Sequence, residues 1–296
     1  MGMVNTITNI LNYVPGGQHH FVIAVIFRNA YLISSMLSSS EVWYNLSEWD
    51  LRKLEQTDEA LIRNIFDCSS QVTSEALSLE LGLLPARYII MMRRIIYQHH
   101  ILKLRNKDTL IFKFLMVQIY QPKKNDLASQ ATKDLAEIEY EMKDIETLST
   151  EKFKDICKTN VTLKAFEYLQ NKKQKHEKVR QIQYSKLEMQ SYLQPNNMQL
   201  SVKERQYLFQ CRVNDIDIRV NRPWKYQETF CITCKDPTKI ETGKHILECK
   251  PLIDKNEKIS YLSEHNDLYS GDIQEQIYTS NMTYENMTIR KTIEGT

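Results

Sequence analysis

A chain of 296 residues has room for two or three domains, and with only 7 glycines and 7 prolines its turns are few and its helices long. A formal net charge of +2 by itself implies no nucleic-acid partner. Three of the six cysteines sit in one metal-spaced motif, which is not the pattern of a secreted disulfide framework.

Residues of about 3–13 predict a short amphipathic helix that stops at Pro15-Gly16-Gly17. These first residues lack the charged and apolar regions of a secretory signal, so an intracellular setting, nuclear or cytoplasmic, is expected. The N-x-[ST] triplets at Asn45, Asn160, Asn281 and Asn286 then read as chance. The longest apolar span, Phe21 to Leu37, is seventeen residues and is interrupted by Arg28 and Asn29. A membrane-crossing helix wants about twenty apolar residues, so a buried bundle helix over about 18–38 is expected, with no membrane partner.

Ser47 and Asp50 resemble a capping box and open a helix to about Phe66. Its apolar face uses Leu51, Leu54, Leu61, Ile62 and Ile65; Asp58 breaks the stripe and is expected in a solvated or capping role. A short helix over about 73–82 stops near Gly82, and Pro85 starts a long one, Ala86 to Leu104. Adjacent His99 and His100 point about 100° apart on a helix, so they read as core or groove histidines rather than a metal site, as do His19 and His20. Thr109 to Tyr120 forms a further helix ended at Pro122.

Charge alternates in blocks. Pro85 to Asn125 holds nine Lys/Arg against the single Asp108, whereas Asp126 to Ile156 holds four basic and nine acidic residues. Leu127 to Leu148 and Thr150 to Gln170 are predicted helices with apolar residues at spacings of three and four. The densest basic tract follows, with Lys172, Lys173, Lys175, Lys178 and Arg180, leading into Tyr184 and Tyr192. Such a run is ordinarily a solvated helix face, but rings beside cations also suit phosphate contacts and base stacking. Ser201 to Val213 is a predicted helix, and beyond Pro251 the tail is polar, acidic and poorly periodic.

Between them lies Cys231-Ile-Thr-Cys234, ten residues, then His245-Ile-Leu-Glu-Cys249. A two-residue gap lets both thiolates of a knuckle reach one ion, and four ligands close a tetrahedral shell. His245 and Cys249 are four apart and share a helix face. The motif predicts one structural zinc, held by Cys231, Cys234, His245 and Cys249, whose binding is coupled to folding of the polar loop between them. There is no Gly-rich phosphate loop, no G-x-S-x-G, no H-E-x-x-H and no Asp-Asp pair, so no catalytic constellation and no small-molecule substrate is expected. The expected fold is mainly α, with helical residues 1–122, a helical linker over 123–220, a CCHC zinc module over 221–252 and a tail over 253–296.

Three stretches carry a resemblance. They are Ala30 to Tyr44, Leu54 to Arg63, and Leu79 through Gly82, Pro85 and Arg87 to Arg94. Each resembles sequence that follows the polymerase core in reverse transcriptases of non-LTR (LINE-like) retrotransposons, and the family's C-terminal cysteine cluster falls at Cys231, Cys234, His245 and Cys249. The resemblance covers about residues 1 to 250. It implies a thumb-like bundle, a helical linker and a zinc knuckle that contact RNA or an RNA–DNA hybrid with weak sequence preference. Arg93 and Arg94 of the first part and Lys172, Lys173, Lys175, Lys178 and Arg180 of the second would border the phosphate backbone. The fingers, the palm and its metal-binding aspartates do not occur, so RNA-directed DNA polymerisation does not carry over to this chain. A helical protein–protein scaffold whose basic blocks are soluble faces is the alternative, and an enzyme of unrecognised type is a third.

Overall fold

The computed structural model describes residues 20–66, 68–141, 147–176, 182–194, 200–215, 221, 228–242, 245–246, 249–255, 286–288 and 290. Among these the protein is mainly helical. The helices are α1 (His20–Phe27), α2 (Glu48–Ile65), α3 (Ser74–Leu81), α4 (Ala86–Leu102), α5 (Leu110–Tyr120), α6 (Leu127–Glu137), α7 (Thr150–Lys173), α8 (Val202–Arg212) and α9 (Lys250–Lys255). The only extended pairings among the described residues are two isolated antiparallel bridges, Leu81 with Met189 and Phe230 with Ile240. No helix among them is long and apolar enough to cross a membrane.

Local chemistry sets the helix starts. Ser47 and Asp50 form the expected capping box on α2, and Ser201 and Glu204 form another on α8. Thr73, Thr109, Asp126 and Ser149 each accept a backbone N–H at the start of α3, α5, α6 and α7. These contacts satisfy amides that have no partner within the helix. Two expectations change. The apolar span continues from α1 as π-helical Arg28–Ile33 and α-helical Ser34–Met36, leaving Ile26 and Tyr31 exposed. The helix expected over Leu127 to Leu148 ends at Glu137, because Glu139 takes a left-handed φ of 64° and the Tyr140 N–H returns to the Leu135 carbonyl at 2.9 Å. The helix expected over residues 3–13 lies outside the described residues.

Of four apolar clusters among the described residues, two hold most of the helices. One gathers Phe21 of α1, Leu61 and Ile62 of α2, Leu77 of α3, Tyr192, Leu208 of α8 and, with them, Cys231, Ile246 and Cys249. The other packs Tyr88, Met91 and Ile95 of α4 against Leu135 of α6 and Phe153, Cys157, Val161 and Ala165 of α7. His99 belongs beside this second cluster, stacked on the Phe153 ring at 4.2 Å, while His100 is exposed. The first cluster joins residues from either side of the predicted boundaries at 122 and 220.

Several buried charges are met by a partner brought from far along the chain. Asp58 is not solvated: it is buried, and accepts both Nε (2.6 Å) and Nη2 of Arg28, whose Nη2 also donates to the Leu84 carbonyl. Glu80 is wholly buried and accepts from Arg212 Nε at 2.7 Å, the Tyr184 hydroxyl at 2.6 Å and the Tyr192 hydroxyl at 2.8 Å. Burial, reinforced by the Glu80 carboxylate, pushes both phenol groups well above their ordinary range, so they remain donors at any physiological pH. Next to this site Gly82 adopts φ +65°, and a Cβ there would meet the Met189 backbone nitrogen at 2.3 Å.

Glu80→Ala removes the acceptor and leaves the Arg212 cation buried without it. The expected loss is about 3–5 kcal/mol of folding stability, measured by urea denaturation. The conservative Tyr184→Phe should cost much less, about 1 kcal/mol.

Candidate metal centre

A small hairpin presents the first two cysteines. The Cys231 N–H bonds the Lys239 carbonyl at 2.9 Å and the Glu241 N–H bonds the Thr229 carbonyl at 2.8 Å, on either side of the Phe230–Ile240 bridge. Between them the Lys235 N–H returns to the Cys231 carbonyl at 3.0 Å and Lys235 takes φ 54°, which folds the chain so that both thiols of the C-x2-C turn point inward. Thr242 then starts the helical turn of His245 and Ile246: its Oγ1 accepts the His245 N–H at 3.0 Å and its carbonyl accepts the Ile246 N–H. Cys249 sits just before α9.

These elements bring the four predicted ligands together. Their sulfur and ring-nitrogen atoms all lie within 4.8 Å of one another. Cys231 Sγ is 3.8 Å from Cys249 Sγ, and Cys234 Sγ is 3.6 Å from His245 Nε2. A disulfide needs about 2.05 Å, so Cys231 and Cys249 are neighbouring free thiols rather than a bonded pair. Cys231 and Cys249 are buried; Cys234 and His245 are half-buried. The group can hold one metal ion.

The electrostatics of the four suit a cation. The hydrogen bond with Cys249, with the backbone N–H groups of Cys234 and Thr233, draws the Cys231 thiol well below its ordinary value. The proton shared with Cys231, together with burial, pushes Cys249 up. A cation would take the place of that shared proton. By contrast, burial pushes the Cys157 and Cys211 thiols up to about 12, as expected of inert packing residues.

What supports the site is not legible in the spacing of its residues. Glu241, in the spacer, is fully buried and grips Arg290 with both oxygens, at 2.8 and 3.0 Å. Asn286 is buried and donates to the Ile246 carbonyl at 2.9 Å, and Met287 packs into the cluster that holds Cys231 and Cys249. A polar residue in a polar loop reads as solvated, and a cation some fifty positions away carries no periodic signal linking it to that loop. Asn286 also belongs to one of the four sequons, and its burial there leaves no space for a glycan.

The predicted phosphate contacts are not assembled in the same way. Arg94 is buried, bound to Asp134 through Nε (2.7 Å) and Nη2 (3.0 Å) and to the Trp43 carbonyl through Nη1. Arg93 is half-buried and donates to the Leu37 carbonyl and to Ser40 Oγ. Lys173 is buried and donates to the Ile182 carbonyl beneath the Tyr184 ring. Lys172 is half-buried over the Tyr168 ring, and Lys175 is exposed. Lys178 and Arg180 lie outside the described residues. Comparison with protein-family models, with curated proteins and with solved structures finds no match.

Arg290→Ala should remove the guanidinium that both oxygens of the buried Glu241 carboxylate accept from, beneath the cysteine loop. The expected cost is about 3–5 kcal/mol, seen as a lower unfolding midpoint together with faster thiol labelling of Cys231, Cys234 and Cys249. Arg290→Lys restores the charge but not the two-oxygen grip and should recover only part of the loss.

Proposed function

We propose that this chain is a non-catalytic, zinc-clasped helical protein that binds nucleic acid, equivalent to the thumb, linker and zinc-knuckle part of a non-LTR retrotransposon reverse transcriptase. The observation that carries the reading is the geometry of the cysteine cluster. A tetrahedral zinc with Zn–S near 2.3 Å and Zn–N near 2.0–2.1 Å has ligand-to-ligand edges of about 3.8 Å between sulfurs and about 3.6 Å from sulfur to nitrogen. The Cys231–Cys249 and Cys234–His245 separations, 3.8 and 3.6 Å, match those edges. Three thiolates and one imidazole favour zinc over magnesium or calcium, which prefer oxygen donors. All four positions are filled by protein, so the ion would fold the loop and leave no open position for a substrate.

The nucleic-acid part of the reading rests on the family resemblance and on the basic block between Pro85 and Asn125. The runner-up is a helical protein–protein scaffold. One observation favours it: Arg94 and Lys173, two of the expected phosphate contacts, are turned inside.

Protein expressed with zinc should carry about one ion per chain by elemental analysis, and Cys249→Ser should lose most of it. The zinc-loaded chain should retain a labelled RNA–DNA hybrid on a filter, with affinity falling steeply as salt rises. Zinc binding without any retention at low salt would leave only the scaffold.

A further inference from the structure

α5 is apolar on nearly every side, yet the protein covers only one of them. Phe112, Leu115 and Ile119 face inward, where Leu115 packs with Ile101 of α4 and Ala128 of α6. On the other side Leu110, Ile111, Phe114, Val117 and Tyr120 are exposed, Leu110 to 85 %, Phe114 to 59 % and Tyr120 to 77 %. A helix that is apolar all round is ordinarily buried all round, so this outward face is built to meet something.

The charge around the face narrows what that is. Exposed Arg105 and Lys107 lie in the turn before α5, Lys113 on it, and Lys123 and Lys124 in the turn after it. Asp108, 3.3 Å from Lys113, is the one acidic residue between Leu104 and Asn125. Two arginines of the same basic block are engaged elsewhere, Arg87 with Glu48 and Glu55, and Arg94 with Asp134. The exposed positive charge of the block therefore gathers at the two ends of an apolar helix. A second copy of the chain would set these cations against their own counterparts, which like-charge repulsion opposes. An anionic partner with apolar flat faces fits instead.

A single-stranded polynucleotide has both properties: phosphates at regular intervals, and bases whose faces stack on exposed rings. Phe114 shares one helix face with Leu110 and Val117, four and three positions away, while Tyr120 lies about 9 Å further along the helix and about 120° around it, at the edge of that face. In a duplex the base faces are stacked on one another, so a duplex offers only phosphates here. We infer that the outward face of α5, with the basic turns on either side, is a stacking platform for single-stranded RNA. The inference rests on the nucleic-acid reading above, and it moves the contact surface from the α7 tract to α5.

The test uses the zinc-loaded full chain and a fluorescent short oligouridine, followed by anisotropy at several salt concentrations. Phe114→Ser with Tyr120→Ser should weaken binding roughly tenfold or more. Phe114→Leu, which stays apolar but has no ring, should weaken it as well. Replacing Lys107, Lys123 and Lys124 with Gln should flatten the salt slope by about 2, from three lost phosphate contacts on a single strand. All replaced side chains are exposed, and circular dichroism checks that the helices persist. Wild-type protein that binds oligouridine with unchanged affinity in both sets of variants overturns the platform alone. Wild-type protein that holds neither oligouridine nor hybrid overturns the nucleic-acid reading with it. If the ring variant instead abolishes self-association, or binding to phosphatidylserine–phosphatidylcholine vesicles, while oligouridine is not bound, the face belongs to a second copy or a lipid surface and the platform is wrong.

Discussion

Glu80 is the constraint around which much of the protein is arranged. A carboxylate with no exposure to water is costly to ionise unless its oxygens are saturated by donors, and here three donors come from two later segments of chain. Arg212 arrives from the end of α8, and Tyr184 and Tyr192 from the connection after α7. The Glu80 backbone carbonyl adds a fourth contact, accepting the Gln190 N–H at 3.0 Å. Only with that connection laid against α3 does Gly82 become necessary, since the backbone of Glu188 and Met189 occupies the space a side chain would need. α8, fixed by Arg212, then sets Asp215, whose carboxylate accepts both the amide and the hydroxyl of Ser69 after α2. One buried acid thus ties segments from opposite halves of the sequence.

The same device recurs with different partners. Arg28 with Asp58, Arg94 with Asp134, and Arg290 with Glu241 each join elements that are 30 to 49 residues apart. Buried ion pairs of this kind add little net stability compared with apolar side chains of similar size. What they do impose is a penalty on any arrangement that separates the partners. In a chain with few glycines, few prolines and repetitive helical patterning, many helix packings bury similar apolar area. Pairing a cation with one particular carboxylate selects among them.

This explains what could and could not be read in the sequence. Helix starts are local, so Ser47 with Asp50 announces α2, and Pro85 announces α4. The metal ligands are nearly as local, four donors within nineteen residues, and they converge as their spacing predicts. Asp58 is different. Its position in an apolar stripe shows only an interruption, and whether it faces water or Arg28 depends on a helix some thirty residues upstream. Arg94 and Lys173 mislead for the same reason: a cation on a helix looks like surface until the acceptor it meets is known, here Asp134 for one and the Ile182 carbonyl for the other. The end of α6 at Glu137 reflects a related limit, because the apolar spacing runs on past the residue where the backbone turns left-handed.

The Cys/His cluster is not a detached finger, and this changes what metal binding there would do. Cys231, Ile246, Cys249 and Leu252 lie in one apolar cluster with Phe21, Leu61, Leu77 and Leu208. A closed shell around an ion would therefore hold part of the main core as well as its own loop. Arg290 and Asn286 brace the outside of that loop through Glu241 and the Ile246 carbonyl. Free energy from ligand binding enters folding wherever the bound and unbound chains differ in structure. Here such a difference would reach through Cys231 and Cys249 to the α1–α2–α8 contacts. If an ion is bound there, its loss would loosen the side of the first cluster nearest α8, while the α4–α6–α7 cluster, which meets the first at Tyr184, would keep most of its packing. α5 leans on α4 and α6 rather than on the metal-bearing side. The cysteine cluster and the outward face of α5 are therefore linked only through the shared helical frame.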